Sequence, residues 1–284
     1  VIRKIVMPVR GDGKGNHVFA YAAALATRFH CHIVVTHCRA RAVDMMPYGV
    51  PIPAALKKLL IEQSSTVADQ VEGSLRAELV ELAASLQVTL SEQPINGQAT
   101  ASWVEQPGRE VDVIKRHGRL ADLICVAKPD LDRNLGSNTL KAALFNTGRP
   151  VLMCPPPSAP LDLLGSRIAI GWNGSTEASR AVALTLPLIE AASEVTVLTS
   201  GTDVHGADAD NLAEYLAVRG VEARVKRFDA KRRIGDALLA HSAEQGADTL
   251  IMGAYSESHE RETVFGGNTQ QVVDNSSMPV IFVH

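Results

Sequence analysis

The residues best suited to chemistry form a small, polar run late in the chain: Gly253-Ala-Tyr-Ser-Glu-Ser-His-Glu-Arg-Glu-Thr-Val-Phe-Gly-Gly-Asn-Thr269. Gly266 and Gly267 stand immediately before a helical pattern. Lacking Cβ atoms, they let backbone N–H groups approach an anion, and the helix dipole adds attraction. Arg261 offers a cation in the same run. The chemistry is that of a phosphate cradle, although no GxxxxGK[ST] loop occurs anywhere. Paired glycines before a helix also make an ordinary turn, and spacing alone leaves both readings open. A second loop of this character is Gly171-Trp-Asn-Gly-Ser175. Ser175 suits a helix N-cap, and Glu177 suits the positive end of the helix that follows.

Other candidates carry less. Gly11-Asp-Gly-Lys-Gly15 fits neither GxGxxG nor the P-loop and reads as a strand-to-helix turn. His30-Cys31-His32 and His37-Cys38 invite zinc, but neighbours on a strand point to opposite faces and cannot all converge. No GxSxG elbow is present, and Ser175 has no assignable base. Lys226-Arg-Phe-Asp-Ala-Lys-Arg-Arg233 reads as a solvated strand end. The apolar, proline-rich 45–60 segment reads as a lid over the first half or an interface patch.

These loops need elements to hold them, and the chain supplies the same set twice. Lys4-Ile-Val-Met-Pro-Val-Arg10 matches Arg167-Ile-Ala-Ile-Gly-Trp-Asn173, and Ala121-Asp-Leu-Ile-Cys-Val-Ala127 matches Ala247-Asp-Thr-Leu-Ile-Met-Gly253. Gly136-Ser-Asn-Thr139 then matches Gly266-Gly-Asn-Thr269, and Asn146-Thr-Gly-Arg-Pro-Val-Leu-Met153 matches Asn275-Ser-Ser-Met-Pro-Val-Ile-Phe282. Four matched blocks in one order indicate a tandem duplication. The stiff stretch Pro155-Pro-Pro-Ser-Ala-Pro160 separates residues 1–157 from 162–284.

Each half alternates strand and helix patterns. In the first, strands are expected over 1–9, 32–37 and 102–105. A helical spacing runs through Val18, Ala22, Leu25 and Phe29. A long amphipathic stretch follows from Leu56 to Leu86, as one helix or two, and Val111 and Ile114 begin another helix. In the second, strands are expected at 167–172, 194–199, 222–228, 248–252 and 279–283. Helices are expected at about 176–192, 207–219, 233–245 and 266–276. The expectation is an α/β fold: two tandem doubly wound domains, each a mostly parallel five-stranded sheet flanked by helices. Ligands in such sheets bind beyond the carboxyl ends of the strands, where both polar loops fall.

Composition narrows the function. The 284 residues carry a net charge of −3, with 4% aromatics. That gives no general electrostatic reason to bind nucleic acid or an anionic membrane, and no stacking platform for bases. No apolar run approaches the ~20 residues of a membrane span. The opening residues do not read as a signal peptide. Cys31, Cys38, Cys125 and Cys154 sit in apolar, strand-like runs without close pairing, as expected of reduced thiols in a cytoplasmic protein.

Taken together, the repeats and the glycine loop resemble the universal stress protein family in its tandem two-domain form, over essentially the whole chain. The specific element is the pattern G-x2-G-x9-G-[S/T], followed two residues later by Thr or Ser. Here it reads Gly253, Ser256, Gly266, Gly267 and Thr269, with spacing intact. Ser256 replaces the second glycine, and Gly267 replaces a hydroxyl residue. In the first copy eight residues separate Ala127 from Gly136, against twelve between Gly253 and Gly266, so that copy is expected to lack a nucleotide site. Its Gly136-Ser137 pair still suits a small anion.

The resemblance implies an adenine nucleotide (ATP, ADP or AMP), taken with or without Mg2+. It would lie against Trp172, Asn173, Thr199, Met252, Gly253, Ser256, Gly266, Gly267, Asn268 and Thr269. Asn173 stands where family members usually carry an acid. Met252 would neighbour the base, and Trp172 would either cover the pocket or simply end its strand. The implied protein binds nucleotide and responds by a conformational change that protein partners read. The alternative is a scaffold without nucleotide, its copies paired through their final strands as a pseudo-dimer with scope to dimerise again. A slow nucleotide hydrolase ranks last.

Overall fold

The structure is a computed structural model describing residues 1–39, 53–130, 132–158, 160–201, 206–230, 232–255 and 267–284. In the first half the elements are β1 (Lys4–Val9), α1 (Gly15–Phe29), β2 (His32–Arg39), α2 (Ala54–Ser85), β3 (Thr89–Leu90), β4 (Thr100–Pro107), α3 (Glu110–Gly118), β5 (Leu123–Ala127), α4 (Ser137–Thr147) and β6 (Val151–Cys154). The second half contributes β7 (Arg167–Gly171), α5 (Thr176–Glu190), β8 (Glu194–Ser200), α6 (Ala209–Ala217), β9 (Ala223–Phe228), α7 (Ile234–Glu244), β10 (Thr249–Gly253), α8 (Gly267–Asn275) and β11 (Val280–Val283).

The strands form one sheet in the order β3-β4-β2-β1-β5-β6-β11-β10-β7-β8-β9. Neighbours within each half are parallel. The seam between halves is antiparallel, with Val280 opposite Met153, Ile281 opposite Leu152 and Phe282 opposite Val151. The final strands therefore do join the copies. Each half reverses strand order beside its own first strand, between β1 and β5 and between β7 and β10. Those are the switch points where a crevice opens at the carboxyl ends.

Continuous apolar runs such as Val151-Leu-Met-Cys154 are buried along their whole length, because helices cover both faces. One core gathers residues of α1, α5 and α6 with the last turns of α2. The other gathers α3, α4, α7 and α8. Each core runs through both halves. The duplicated Ala-Asp pair also has a shared task. Asp122 accepts the amides of Arg3 and Lys4 at 2.8 and 2.9 Å, and Asp248 accepts those of Gly165 and Arg167 at 2.7 Å each. Each carboxylate thus fastens the start of its half's first strand to the strand beside it.

The first half departs from the expected five strands. It gains the two-residue edge strand β3, and its third long strand starts at Thr100 rather than Ser102. The long amphipathic stretch is a single helix of 32 residues, whereas the corresponding α6 has nine. Among its residues only Leu79 and Ala83 are buried. Further back, Arg39 holds the helix by pairing with Asp69 and Glu72 at 2.5 and 3.7 Å, while also facing Glu105. Of the 45–60 segment, 45–52 lie outside the described residues. Ala54 onward forms the first turns of α2, with Leu56, Leu59 and Leu60 exposed. Among the described residues no helix is long and apolar enough to cross a membrane.

Candidate functional site

The second switch point is built by the ends of β7 and β10. Beyond β7, Trp172 is 8% exposed and its indole N–H donates to the Ala207 carbonyl at 2.9 Å. The indole ends its strand as a core residue and holds the approach to α6. Asn173 is exposed, and its Oδ1 accepts the Ser175 amide at 3.1 Å. Gly174 takes a φ of 72°, and Ser175 Oγ then accepts the Ala178 amide, capping α5 as its residue type foretold. Gly253, at the end of β10, has a packing task. A Cβ there would lie 2.6 Å from the Ala178 nitrogen and 2.7 Å from the Glu177 carbonyl carbon. Only glycine lets the first turn of α5 meet the end of β10.

Past β10, Tyr255 adopts a left-handed φ of 54° and its amide donates to Thr269 Oγ1 at 3.4 Å. Gly267 (φ +74°) opens α8, with Gly267 and Asn268 exposed and Thr269 buried. A helix start leaves its first amides without intrahelical acceptors. Ser256 and Gly266, with Arg261, lie outside the described residues. Thr199 and Trp172 fall on the α5–α6 side of the sheet, by strand alternation and core membership. Met252 faces the other side, beside Leu238. The predicted side chains therefore ring the carboxyl edge on both faces instead of meeting at one point.

The first crest is filled. Arg10, at the position of Asn173, donates from Nη1 to Thr139 Oγ1 at 2.9 Å, and that hydroxyl donates to Glu110 at 2.5 Å. Arg10 Nε also lies 3.8 Å from Glu110. Thr139 matches Thr269, and in this copy that hydroxyl is engaged as both donor and acceptor. Lys14 meets Asp130 at 3.3 Å and the Lys128 carbonyl at 3.4 Å. The Arg133 amide, and then Lys14, hold the Asp130 carboxyl below its ordinary value. The Gly11–Gly15 run is a turn, with Asp12 accepting the Lys14 amide. Sequence reasoning missed this network because its members lie far apart in the chain. The repeat alignment gave a single signal, Arg10 standing opposite the amide Asn173.

The zinc candidates are occupied otherwise. His32 meets Thr100 Oγ1 and Ser102 Oγ at 2.7 and 2.9 Å through its two ring nitrogens. His30 closes α1 in a left-handed conformation. In the basic run, Arg227 pairs with Asp210 and Arg233 with Asp236, and Lys231 lies outside the described residues. A groove of about 310 Å³ lies off the crests, between α3 and α4, lined by Glu110, Val111, Lys141 and Phe145 among others. Between α7 and α8 the backbones approach closely at Gly235, where a Cβ would lie 2.4 Å from the Asn268 carbonyl oxygen.

The model of the universal stress protein family matches residues 166–284. The second half of the chain belongs to the universal stress protein family. Over its whole length the chain has the fold of a universal stress protein from Archaeoglobus fulgidus DSM 4304, at 17% identity and a TM-score of 0.73, covering 99% of this chain and 97% of that one. A functionally unknown protein from Pseudomonas aeruginosa PAO1 is similar at 14% identity and a TM-score of 0.55, covering 100% and 92%. A comparison with curated proteins finds no match. The duplicated architecture is thus the fold of tandem universal stress proteins, and the family model matches the second copy.

Proposed function

We propose that the universal stress protein half binds an adenine nucleotide, ATP, ADP or AMP, with or without Mg2+, and acts by a ligand-linked change of conformation that protein partners read. The two domains divide at the proline-rich connector, as residues 1–157 and 162–284. The phosphates lie at the start of α8, against Gly267, Asn268 and Thr269, with adenine and ribose toward Trp172, Asn173 and Thr199.

The contrast between the two crests carries this reading. At one, Thr139 is locked between Arg10 and Glu110. At the other, among the described residues, the matching Thr269 accepts a backbone amide at 3.4 Å, and Gly267 and Asn268 beside it are exposed. An anion gains both hydrogen bonds and a favourable dipole at such a start. The reading needs binding, not turnover.

Native mass spectrometry of freshly purified protein, followed by thermal-shift titration with each nucleotide with and without Mg2+, tests it. One nucleotide per chain is expected. At a hundredfold excess over Kd, ligand adds about 2.7 kcal/mol of stability. No adduct, and no shift at millimolar ligand, would overturn the assignment. The antiparallel seam would then favour the scaffold reading, which needs no ligand.

A further inference from the structure

We infer that Lys128 of the first half is a positioning residue for the second half's crest, acting through α8. This rests on the nucleotide reading above. Lys128 Nζ crosses the seam and donates to the carbonyls of Asp274 and Ser276, at 2.7 and 2.9 Å. Those carbonyls close the C-terminal end of α8, the helix whose other end opens the candidate phosphate site.

Three observations make this more than a chance contact. First, α8 has no basic residue in its last turn, so the cation its dipole calls for comes from the other copy. Its own Asp274 stands at that end with the wrong sign. Second, Lys128 is itself held: its amide donates to Cys154, and its carbonyl accepts from Lys14. Third, the repeat puts Ala254 where the first copy has Lys128, so the cation is particular to one copy. On the opposite side of the seam neighbouring positions meet through aromatic rings. Tyr255 lies 5.2 Å from Phe145, and Phe145 lies 4.9 Å from His284. The first half therefore braces both the strand end before the glycine loop and the helix after it.

An anion at the start of α8 and a cation at its end stabilise the same aligned dipoles. Where phosphate binding orders the first turn of α8, the two charges strengthen each other, and by the same factor in each direction. The filled first copy becomes the brace of the second.

Calorimetric titration of the full chain with ATP, ADP and adenosine tests this. Lys128→Met should weaken ATP and ADP by about two- to fivefold. It should leave adenosine unchanged, since only phosphates meet α8. Lys128→Arg should restore wild-type affinity, and so should Asp274→Lys placed in the Lys128→Met background. Should Lys128→Met not fold, Lys128→Gln keeps donors at the position and should show the same phosphate-dependent loss. Equal losses for all three ligands, or none, would overturn the inference while leaving the nucleotide reading intact. Failure of the wild-type chain to bind ATP would overturn both.

Discussion

Asp248 takes the Gly165 amide on one carboxylate oxygen and the Arg167 amide on the other, and receives the Thr249 hydroxyl as well. Asp122 accepts the Arg3 and Lys4 amides near the start of β1, both on Oδ2. Hydrogen bonds to a charged acceptor contribute about 1.5–3 kcal/mol each, with neighbours less than additive. Asp248→Ala and Asp122→Ala should each lower unfolding free energy in urea by about 2–3 kcal/mol. A loss under about 0.5 kcal/mol would mean that water replaces the carboxylate at no cost. Gly253 poses the opposite problem, since a methyl group there meets the backbone of α5 at 2.6 Å. Gly253→Ala should therefore cost about 1–3 kcal/mol by overpacking, even without ligand. That loss separates the packing duty of this glycine from any duty toward phosphate.

Helix α2 shows how unevenly an amphipathic pattern is used. Leu79 is 7% exposed and Leu59 is 49% exposed, although both belong to one apolar series. Leu79→Ala should cost about 2–4 kcal/mol, and Leu59→Ala should stay within about 0.5 kcal/mol. Equilibrium unfolding of the two variants checks the contrast. The same helix marks how far the amino-acid sequence could be read. Strands of the second half fell within a residue or two of expectation, because β-branched runs such as Val195-Thr-Val197 stand between capping and glycine signals. The extent of α2 was legible from its spacing, but not that it is one unbroken helix or where it leaves the body, since a stripe says nothing of what lies opposite. The Thr89–Leu90 strand is too short to carry a period. At the site, the Ser175 cap and the α8 start were legible. The opposite-face placement of Met252 followed from sheet register, which single residues do not announce. Arg10, Glu110 and Thr139 meet only through tertiary folding.

Across the whole molecule, charge and burial are not shared equally. Burial, first among the causes, holds the ring pKa of His17, His32, His37 and His117 below the ordinary value, and all four belong to the first half. Each is neutral when folded and takes a proton more readily when unfolded. Their contribution is complete above the unfolded value of about 6.5 and is lost as pH falls through the folded values. Glu72 acts with the opposite sign, since its hydrogen bond with Glu105 raises its pKa, but it is one group against four. Acid should therefore weaken the first half before the second. The two tryptophans report separately, Trp103 stacked on His37 and Trp172 beyond β7. In single-tryptophan variants, the urea midpoint seen by Trp103 should fall more between pH 7 and 5 than that seen by Trp172. Identical shifts would refute it. The antiparallel junction of β6 with β11 covers the strand edge that each half would otherwise leave open. What remains open at the margins is a two-residue strand and one carrying Arg224, Lys226 and Arg227, both poor templates for further growth. Such a molecule is a heterodimer written in one reading frame: its stoichiometry is set at translation, and dilution cannot part it. Freed from matching its twin, one member can set Arg10 and Glu110 around a threonine where the other keeps an amide at Asn173.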